Sequence, residues 1–451
     1  MKRDKCLEKM KIYDNYVMKN LQYFPLVIKE AHGSIITDYD DNHYIDFLSS
    51  ASSLNLGNSN PVIVEAVKKQ LEKFSQYIMG YFQNKEAAEY AKLICSVYPG
   101  RIKVKVAYTN SGSEANDTAI KFARAFTKRQ KIIYFNNSYH GTTYGSLSIS
   151  GCSTLMRNNM GPFLPEMYNF KFYGNEISDE IAENESTKQI EEAFQTFLPP
   201  TEVAAVIMEA VQGDGGLLPA HPIFMKKLYK ICKDNGILFI IDEIQQGFFR
   251  TGKMFSIENY DGIIPDGMTL GKSFGAGFFA ACFIAREEII NTFGSPAQIS
   301  TYAGNALSCA AGMAAFNIYY SDEFKKLLKD NINILHNLGK ELKEKHPEII
   351  SRIRNIGMST GIVLNDKNDK NMTYKIIFRC YERGLIMMSL AGNVLRVQPP
   401  LNIPAELLEK GFNIINESIE DYKNGKIDDE VLKYKNTWRF ILLIYLLLIK
   451  H

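Results

Sequence analysis

Four stretches of this chain place a chemically useful residue at or just after the end of a short apolar run. In Thr109-Asn110-Ser111-Gly112-Ser113-Glu114, Gly112 lets backbone amides come close to an anion, and Ser113 offers a hydroxyl where a helix begins. That suits a phosphate, although a plain helix cap by Ser113 is the simpler reading. In Ser138-Tyr139-His140-Gly141, Tyr139 either stacks on a planar ligand or simply packs. Asp242 closes the apolar run Ile237-Leu238-Phe239-Ile240-Ile241, where a carboxylate is costly unless paired. A cationic ring nitrogen is one partner; a salt bridge or a helix cap are others. Lys272 follows Met268-Thr269-Leu270 between Gly271 and Ser273, and an amine buried there serves as nucleophile and base.

A phosphate cradle, a stacking aromatic, a carboxylate for a pyridinium and a lysine for an aldehyde are together what pyridoxal phosphate requires. The competing nucleotide site lacks its signatures: there is neither a G-x-x-x-x-G-K-[ST] loop nor a G-x-G-x-x-G fingerprint.

These residues need a scaffold that gathers strand ends. The pattern predicts strands at 104–108, 131–135, 203–208, 237–241, 268–270 and 281–284, alternating with helices at 61–74, 113–127 and 223–234. Such alternation gives a mostly parallel sheet covered by helices on both faces, whose ligands bind at the carboxyl ends of the strands. The thirty positions from Asp242 to Lys272 suffice for one crossover, so both residues can sit on one sheet edge. Short strands are read at 26–28, 35–38 and 43–46, and helices at 306–320 and 323–345 lead into a second α+β region.

The chain resembles the class III aminotransferases, fold-type-I enzymes dependent on pyridoxal phosphate, over roughly residues 25–425. The likeness is carried by Ser111-Gly112-Ser113-Glu114-Ala115, Ser138-Tyr139-His140-Gly141, Ile241-Asp242-Glu243-Ile244-Gln245-Gln246-Gly247, Gly271-Lys272-Ser273, Thr301-Tyr302-Ala303-Gly304-Asn305 and Leu395-Arg396-Val397-Gln398-Pro399-Pro400-Leu401. The resemblance implies a mostly parallel seven-stranded sheet flanked by helices, with a smaller α+β domain. It implies an N-terminal arm with part of the small domain over 1–60, a large cofactor-binding domain over 61–320, the rest of the small domain over 321–425 and an atypical tail over 426–451. By the same likeness Lys272 carries the cofactor, Asp242 holds its ring nitrogen, and Gly112 and Ser113 bind its phosphate. Tyr139 and Ile244 cover opposite ring faces, and Gln245 lies near the ring hydroxyl. Arg396 holds a substrate carboxylate, and Thr301 reaches the neighbouring subunit's cofactor, which implies a homodimer or a dimer of dimers.

Two departures concern loops: Ala210 stands where the family has proline after Glu209, and Phe249 where it has glycine before Arg250-Thr251-Gly252. A third concerns chemistry. Asp214 occupies a place that is glutamate in many transaminases, and the Gln212-Gly213-Asp214-Gly215-Gly216 turn is similar to that of amino-acid 2-epimerases within the family. Transamination needs Lys272 alone as proton carrier, whereas epimerisation needs a second acid on the opposite face. Asp214 is the candidate for that acid; otherwise it pairs with Arg396 or caps a turn. The expected activity is removal of the α-proton of a branched-chain or other apolar amino acid and its return with inversion. Amino-group transfer to a 2-oxo acid, of the 4-aminobutyrate or ornithine type, is the alternative. Tyr77, Ile78, Tyr81 and Phe82 are candidate pocket walls, or ordinary packing.

Composition narrows the rest. Lys and Arg number 52 against 50 Asp and Glu in 451 residues, which gives no electrostatic reason for a nucleic acid or an anionic membrane as partner. Too few residues precede position 25 for a winged helix, which argues against a regulator built on this fold. No metal site is expected. Seven scattered cysteines with no C-x-x-C pair, and no apolar segment after the charged start, point to a cytoplasmic enzyme with reduced thiols. The tail opens with the single tryptophan, Trp438, and Phe440 to Ile449 is an unbroken apolar run. Its ten residues are half of the roughly 20 needed to span a bilayer. A frameshifted or otherwise non-native end is read ahead of a helix docking on the dimer and of a membrane anchor.

Overall fold

Apolar strands with no polar face have to be covered on both sides, and the chain does this in a computed structural model describing residues 2–18, 21–294 and 296–435. Two compact units result: Pro61–Ser321, and the residues up to Asn60 together with those from Asp322 on.

The Pro61–Ser321 unit is built on seven strands, numbered here in chain order: β1 Val104–Thr109, β2 Lys131–Phe135, β3 Met167–Phe170, β4 Val203–Met208, β5 Leu238–Asp242, β6 Gly267–Leu270 and β7 Ala281–Arg286. Their order in the sheet is β1-β7-β6-β5-β4-β2-β3. All are parallel except β7, which runs antiparallel to both β6 and β1. β4 and β5 are buried at every residue, as expected of central strands in a covered sheet. Helix α1, Gly112–Thr127, lays Ala119, Ile120, Phe122 and Ala123 against Ile132, Ala205, Ile207, Ile240 and Phe283 of the sheet. Helix α2, Pro222–Asn235, begins with proline at its first position and stops at Gly236, whose φ of 62° is the left-handed conformation glycine tolerates. The carboxyl ends of β1, β2, β4, β5 and β6 therefore share one edge.

The other unit has two four-stranded sheets. One is Ile28–His32, Ile35–Asp38, His43–Asp46 and Leu385–Ile386; the other is Ile350–Ile356, Ser359–Leu364, Val394–Val397 and Met388–Leu390. Helices Asp322–Lys345, Met372–Glu382 and Ala405–Lys423 pack with them. The first strand lies two residues later than the apolar triplet Leu26-Val27-Ile28 suggested, because its pairing is fixed by the hairpin with Ile35–Asp38. Of the tail, Tyr434 stacks on Phe378 with centroids 5.6 Å apart. Trp438 and the apolar run 440–449 lie outside the described residues. No helix among the described residues is long and apolar enough to cross a membrane. All seven cysteines are free thiols.

Candidate active site

The edge gathers its side chains through short links from each strand. β1 runs through Asn110 and Ser111 into α1, and Ser111 is the cap: its Oγ accepts from Glu114 N at 3.2 Å. Capping is therefore not the task of Ser113, whose Oγ accepts from Thr142 N at 3.1 Å. The first amides of α1 have no partner inside the helix, and the helix start carries partial positive charge. Gly112 is glycine for want of space. A Cβ on it would lie 2.8 Å from Ile244 Cδ1, and one on Gly271 would lie 3.3 Å from Ile244 Cγ2 and 3.5 Å from Gly112 Cα. Gly112, Ile244 and the residue before Lys272 thus converge.

Asp242 ends β5 in register with Thr269 of β6 and is 4% exposed. Its Oδ2 accepts from Asn116 Nδ2 at 2.8 Å and lies 2.7 Å from His140 Nδ1; its Oδ1 accepts from Ile244 N at 3.0 Å. Asn116 also donates to His140 O at 2.7 Å and accepts from Thr269 Oγ1 at 3.1 Å, so α1, β6 and the loop after β2 are tied to one carboxylate. Burial pushes the His140 imidazole toward neutrality, but the hydrogen bond and charge of Asp242 outweigh it and hold its pKa above the ordinary value. His140 Nε2 is buried and has no hydrogen-bond partner among the described residues.

Lys272 follows β6 at a φ of 48° and is half-buried. A left-handed residue with a side chain costs about 1–2 kcal/mol. Such strain persists only where the surroundings dictate it, and it gathers at functional sites.

Tyr139 is half-buried, and burial followed by the charge of Asp214 pushes its hydroxyl up to about 12. Asp214 sits on the turn after β4; its Oδ2 accepts from Gln245 Nε2 at 3.2 Å, while Gln245 Oε1 accepts from Gln246 Nε2 at 3.0 Å. Gly213 leaves room for this, since a Cβ there would lie 2.0 Å from Gln245 Oε1. Asp214 and Gln245 thus pair within electrostatic reach of Tyr139, while Gly112, Gly271 and Ile244 converge in a second group that Asp242 meets at the Ile244 amide.

Two further expected residues are Thr301 and Arg396. Thr301 is exposed, and its carbonyl accepts from Gln76 Nε2. Its loop is tied to the glycine cradle from outside, where Asn110 Nδ2 donates to Ser300 Oγ at 2.7 Å. Arg396 belongs to the other compact unit, buried on strand Val394–Val397 with Nε donating to Gln398 Oε1.

The loop departures are absorbed locally. Ala210 O accepts from Tyr260 Oη and from Ala220 N, each at 3.0 Å. Phe249 adopts a φ of 66°, with its ring 5.8 Å from that of Tyr319 and 5.7 Å from that of Tyr320.

The donor set fits pyridoxal phosphate on two observations. Two glycines keep open the space beside a helix start, where added methyl groups would run into Ile244. A buried carboxylate, supplied with donors by His140, Asn116 and the Ile244 amide, suits a cationic ring nitrogen.

Comparison with known proteins decides the family. Residues 16–419 match the description of aminotransferase class III. The chain belongs to the class III aminotransferase family. Members are pyridoxal-phosphate enzymes, and so is this one. It is 36% identical to isoleucine 2-epimerase of Lentilactobacillus buchneri, over 90% of this chain and 92% of that protein. It is 34% identical to leucine/methionine racemase of Thermococcus litoralis, over 92% and 95%. Among solved structures, ornithine aminotransferase of Toxoplasma gondii superposes with a TM-score of 0.82 at 26% identity, covering 94% of this chain and 97% of that one. Class III aminotransferases of this similarity include epimerases, racemases and transaminases alike, so family membership leaves the specific activity open.

Sequence reasoning left three buried site residues without a role. Glu209 follows the all-apolar β4 as Asp242 follows β5, which is the same signal. His140 was visible beside Tyr139, and Asn116 one turn into α1.

Proposed function

We propose that this class III enzyme inverts the α-carbon of a branched-chain or other apolar amino acid. Pyridoxal phosphate, when bound, supplies an aldehyde that condenses with amines and a cationic ring that stabilises negative charge at the α-carbon. Lys272 would hold that aldehyde, and its side-chain amine would remove the substrate α-proton from one face. Asp242, whose oxygens accept from Asn116 and the Ile244 amide, would face the ring nitrogen and favour positive charge there. Gly112, Ser113 and the start of α1 hold the phosphate, while Tyr139 and Ile244 confine the ring. Asp214 returns a proton on the face opposite Lys272, and the configuration inverts.

The observation that carries this reading is the placing of Asp214. Its carboxylate is in hydrogen-bond contact with Gln245, three residues after Asp242, and its charge acts on the Tyr139 hydroxyl, so an acid stands beside the ring-stacking residue. The similarity to an epimerase and a racemase supports it. Amino-group transfer, which needs Lys272 alone, is the second reading, favoured by the likeness to ornithine aminotransferase. The test is incubation with L-isoleucine, with and without 2-oxoglutarate or pyruvate, followed by chiral chromatography. D-allo-isoleucine formed without a 2-oxo acid supports inversion; product that depends on the 2-oxo acid refutes it in favour of transfer.

A further inference from the structure

We propose that Glu209 is a positioning residue that locks the aromatic Tyr139 and the turn carrying Asp214 to each other, and so governs proton return on the Asp214 face. The inference rests on the epimerase reading above and adds to it a residue that does not touch the reacting atoms.

Glu209 follows the last residue of β4 and is 5% exposed. One oxygen, Oε1, accepts from Tyr139 N at 3.0 Å; the other, Oε2, accepts from Gly213 N at 2.8 Å. A single buried carboxylate thus bridges the segments of Tyr139 and Gly213, 213 − 139 = 74 positions apart in the chain. One carries the ring-stacking side chain; the other carries Asp214 at its next position. Gln245 closes the far side, because its Nε2 donates to Asp214 Oδ2 and its Oε1 lies where a Cβ on Gly213 would be. Released at Gly213, Asp214 would keep its side-chain hydrogen bond of 3.2 Å to Gln245, and its turn would keep the bond from Gln212 Nε2 to Asn136 O at 2.7 Å, but the direct tie to the Tyr139 segment would be lost.

Only a carboxylate makes this bracket. It presents two acceptors to two N–H donors, whereas a glutamine has one acceptor and sets an N–H against an N–H at the other. Aspartate keeps the charge but falls one methylene short, so it serves one amide and not both. Because the site lies inside the unit, neither lost bond is readily replaced by solvent. A displacement near 1 Å at a reacting group can cost about 100-fold in rate. The loss should fall on the Asp214 face and spare the Lys272 face, which is built from β6, Gly112 and Ile244.

The holoenzyme in deuterium oxide with L-isoleucine separates the two faces. Exchange with retention reports Lys272, and deuterium-labelled D-allo-isoleucine reports the opposite face. In Glu209→Gln, inversion should fall at least about 30-fold and exchange with retention less than about threefold. Glu209→Asp should show the same order with a smaller gap. The visible circular dichroism of the bound cofactor should change in Glu209→Gln, because the residue stacked on its ring has lost its anchor. Equal losses of inversion and exchange, or an unchanged dichroism spectrum, would overturn the proposal. So would failure of both variants to fold, since Glu209 would then hold the unit together and not the site. If the wild-type enzyme inverts no amino acid yet exchanges the α-proton, the epimerase reading is what fails. The bracket is then judged on the dichroism alone, which involves no turnover.

Discussion

At the scale of single residues, the site is a set of small steric and protonic decisions, and each can be reversed. Gly112 is the clearest steric one. The atom that an added methyl group would meet is the far end of Ile244, a flexible side chain that can rotate away, so Gly112→Ala should leave the fold intact. Ile244 would then move into the space beside α1 and Gly271. The expected outcome is a dissociation constant for pyridoxal phosphate raised about tenfold, equivalent to roughly 1.4 kcal/mol. Titration of the apoenzyme followed by absorbance checks it, with the melting temperature of the apoenzyme unchanged. Asp214 is the protonic decision. Asn in its place keeps the shape and a partner for Gln245 but has no carboxyl proton. General acid catalysis is worth about 10²–10⁴-fold, so Asp214→Asn should lose inversion of isoleucine by at least about 100-fold. Exchange of the α-proton with retention should persist through Lys272. Inversion at the wild-type rate in this variant would show that the returning proton comes from elsewhere.

At the scale of elements, burial decides both what holds the site and what could be read beforehand. Glu243, next to Asp242, points away from the site: its oxygens accept from Ser256 N and Ile257 N, each at 2.8 Å, and pin the loop that follows β5. Burial raises its pKa from 4.5 to about 7, against the opposing pull of those amides. The folded chain therefore keeps this proton at pH values where the unfolded chain has released it. Stability from this group is present below about pH 4.5 and is lost as pH rises through about 7, on the order of 3 kcal/mol in all. Chemical denaturation between pH 5 and 8 should show that decline, and Glu243→Gln should remove its share, leaving that of Glu209, which burial also raises to about 7. The same logic explains what the sequence disclosed. β4 and β5 were legible because a strand buried on both faces reads as an unbroken apolar run. β3 was not, because Met167–Phe170 is an edge strand with a single buried residue. The antiparallel direction of β7 was hidden too, since its covered residues are as apolar as those of its parallel neighbours. Asp242 and Lys272 stood out as polar residues beside such runs. Glu209 gives the same signal at the end of the run Val203–Met208. Ser111 and Ser113 are equally good caps by type, and only the backbone of Ser111, extended at φ −139°, separates them.

At the scale of the whole molecule, the Pro61–Ser321 unit leaves large apolar side chains uncovered around Thr301. Tyr77, Tyr81, Phe82, Phe279 and Tyr302 are each more than half exposed. They belong to connected segments: Gln76 Nε2 donates to Thr301 O, Asn305 Nδ2 donates to Gln76 Oε1 at 2.8 Å, and Ser308 Oγ donates to Phe279 O at 2.9 Å. Single exposed apolar residues need no explanation, but a contiguous group beside a candidate site marks a contact surface. A second copy of the chain is the occupant we propose, related by a twofold axis so that each copy lends Thr301 to the other's cofactor phosphate. Phe279→Asp combined with Tyr302→Asp should then sediment as a monomer and bind pyridoxal phosphate weakly. A sharper expectation follows from which chain supplies which residue. Lys272→Ala destroys the site of its own subunit only, and Thr301→Val weakens the site of its neighbour only. Co-expressed single variants should therefore form mixed dimers with one intact site, made of Lys272 from one chain and Thr301 from the other. Activity per mixed dimer should approach half that of the wild-type dimer, although each variant alone falls far below it. If Thr301 served its own subunit, no mixed dimer would contain an intact site, and mixing would restore nothing.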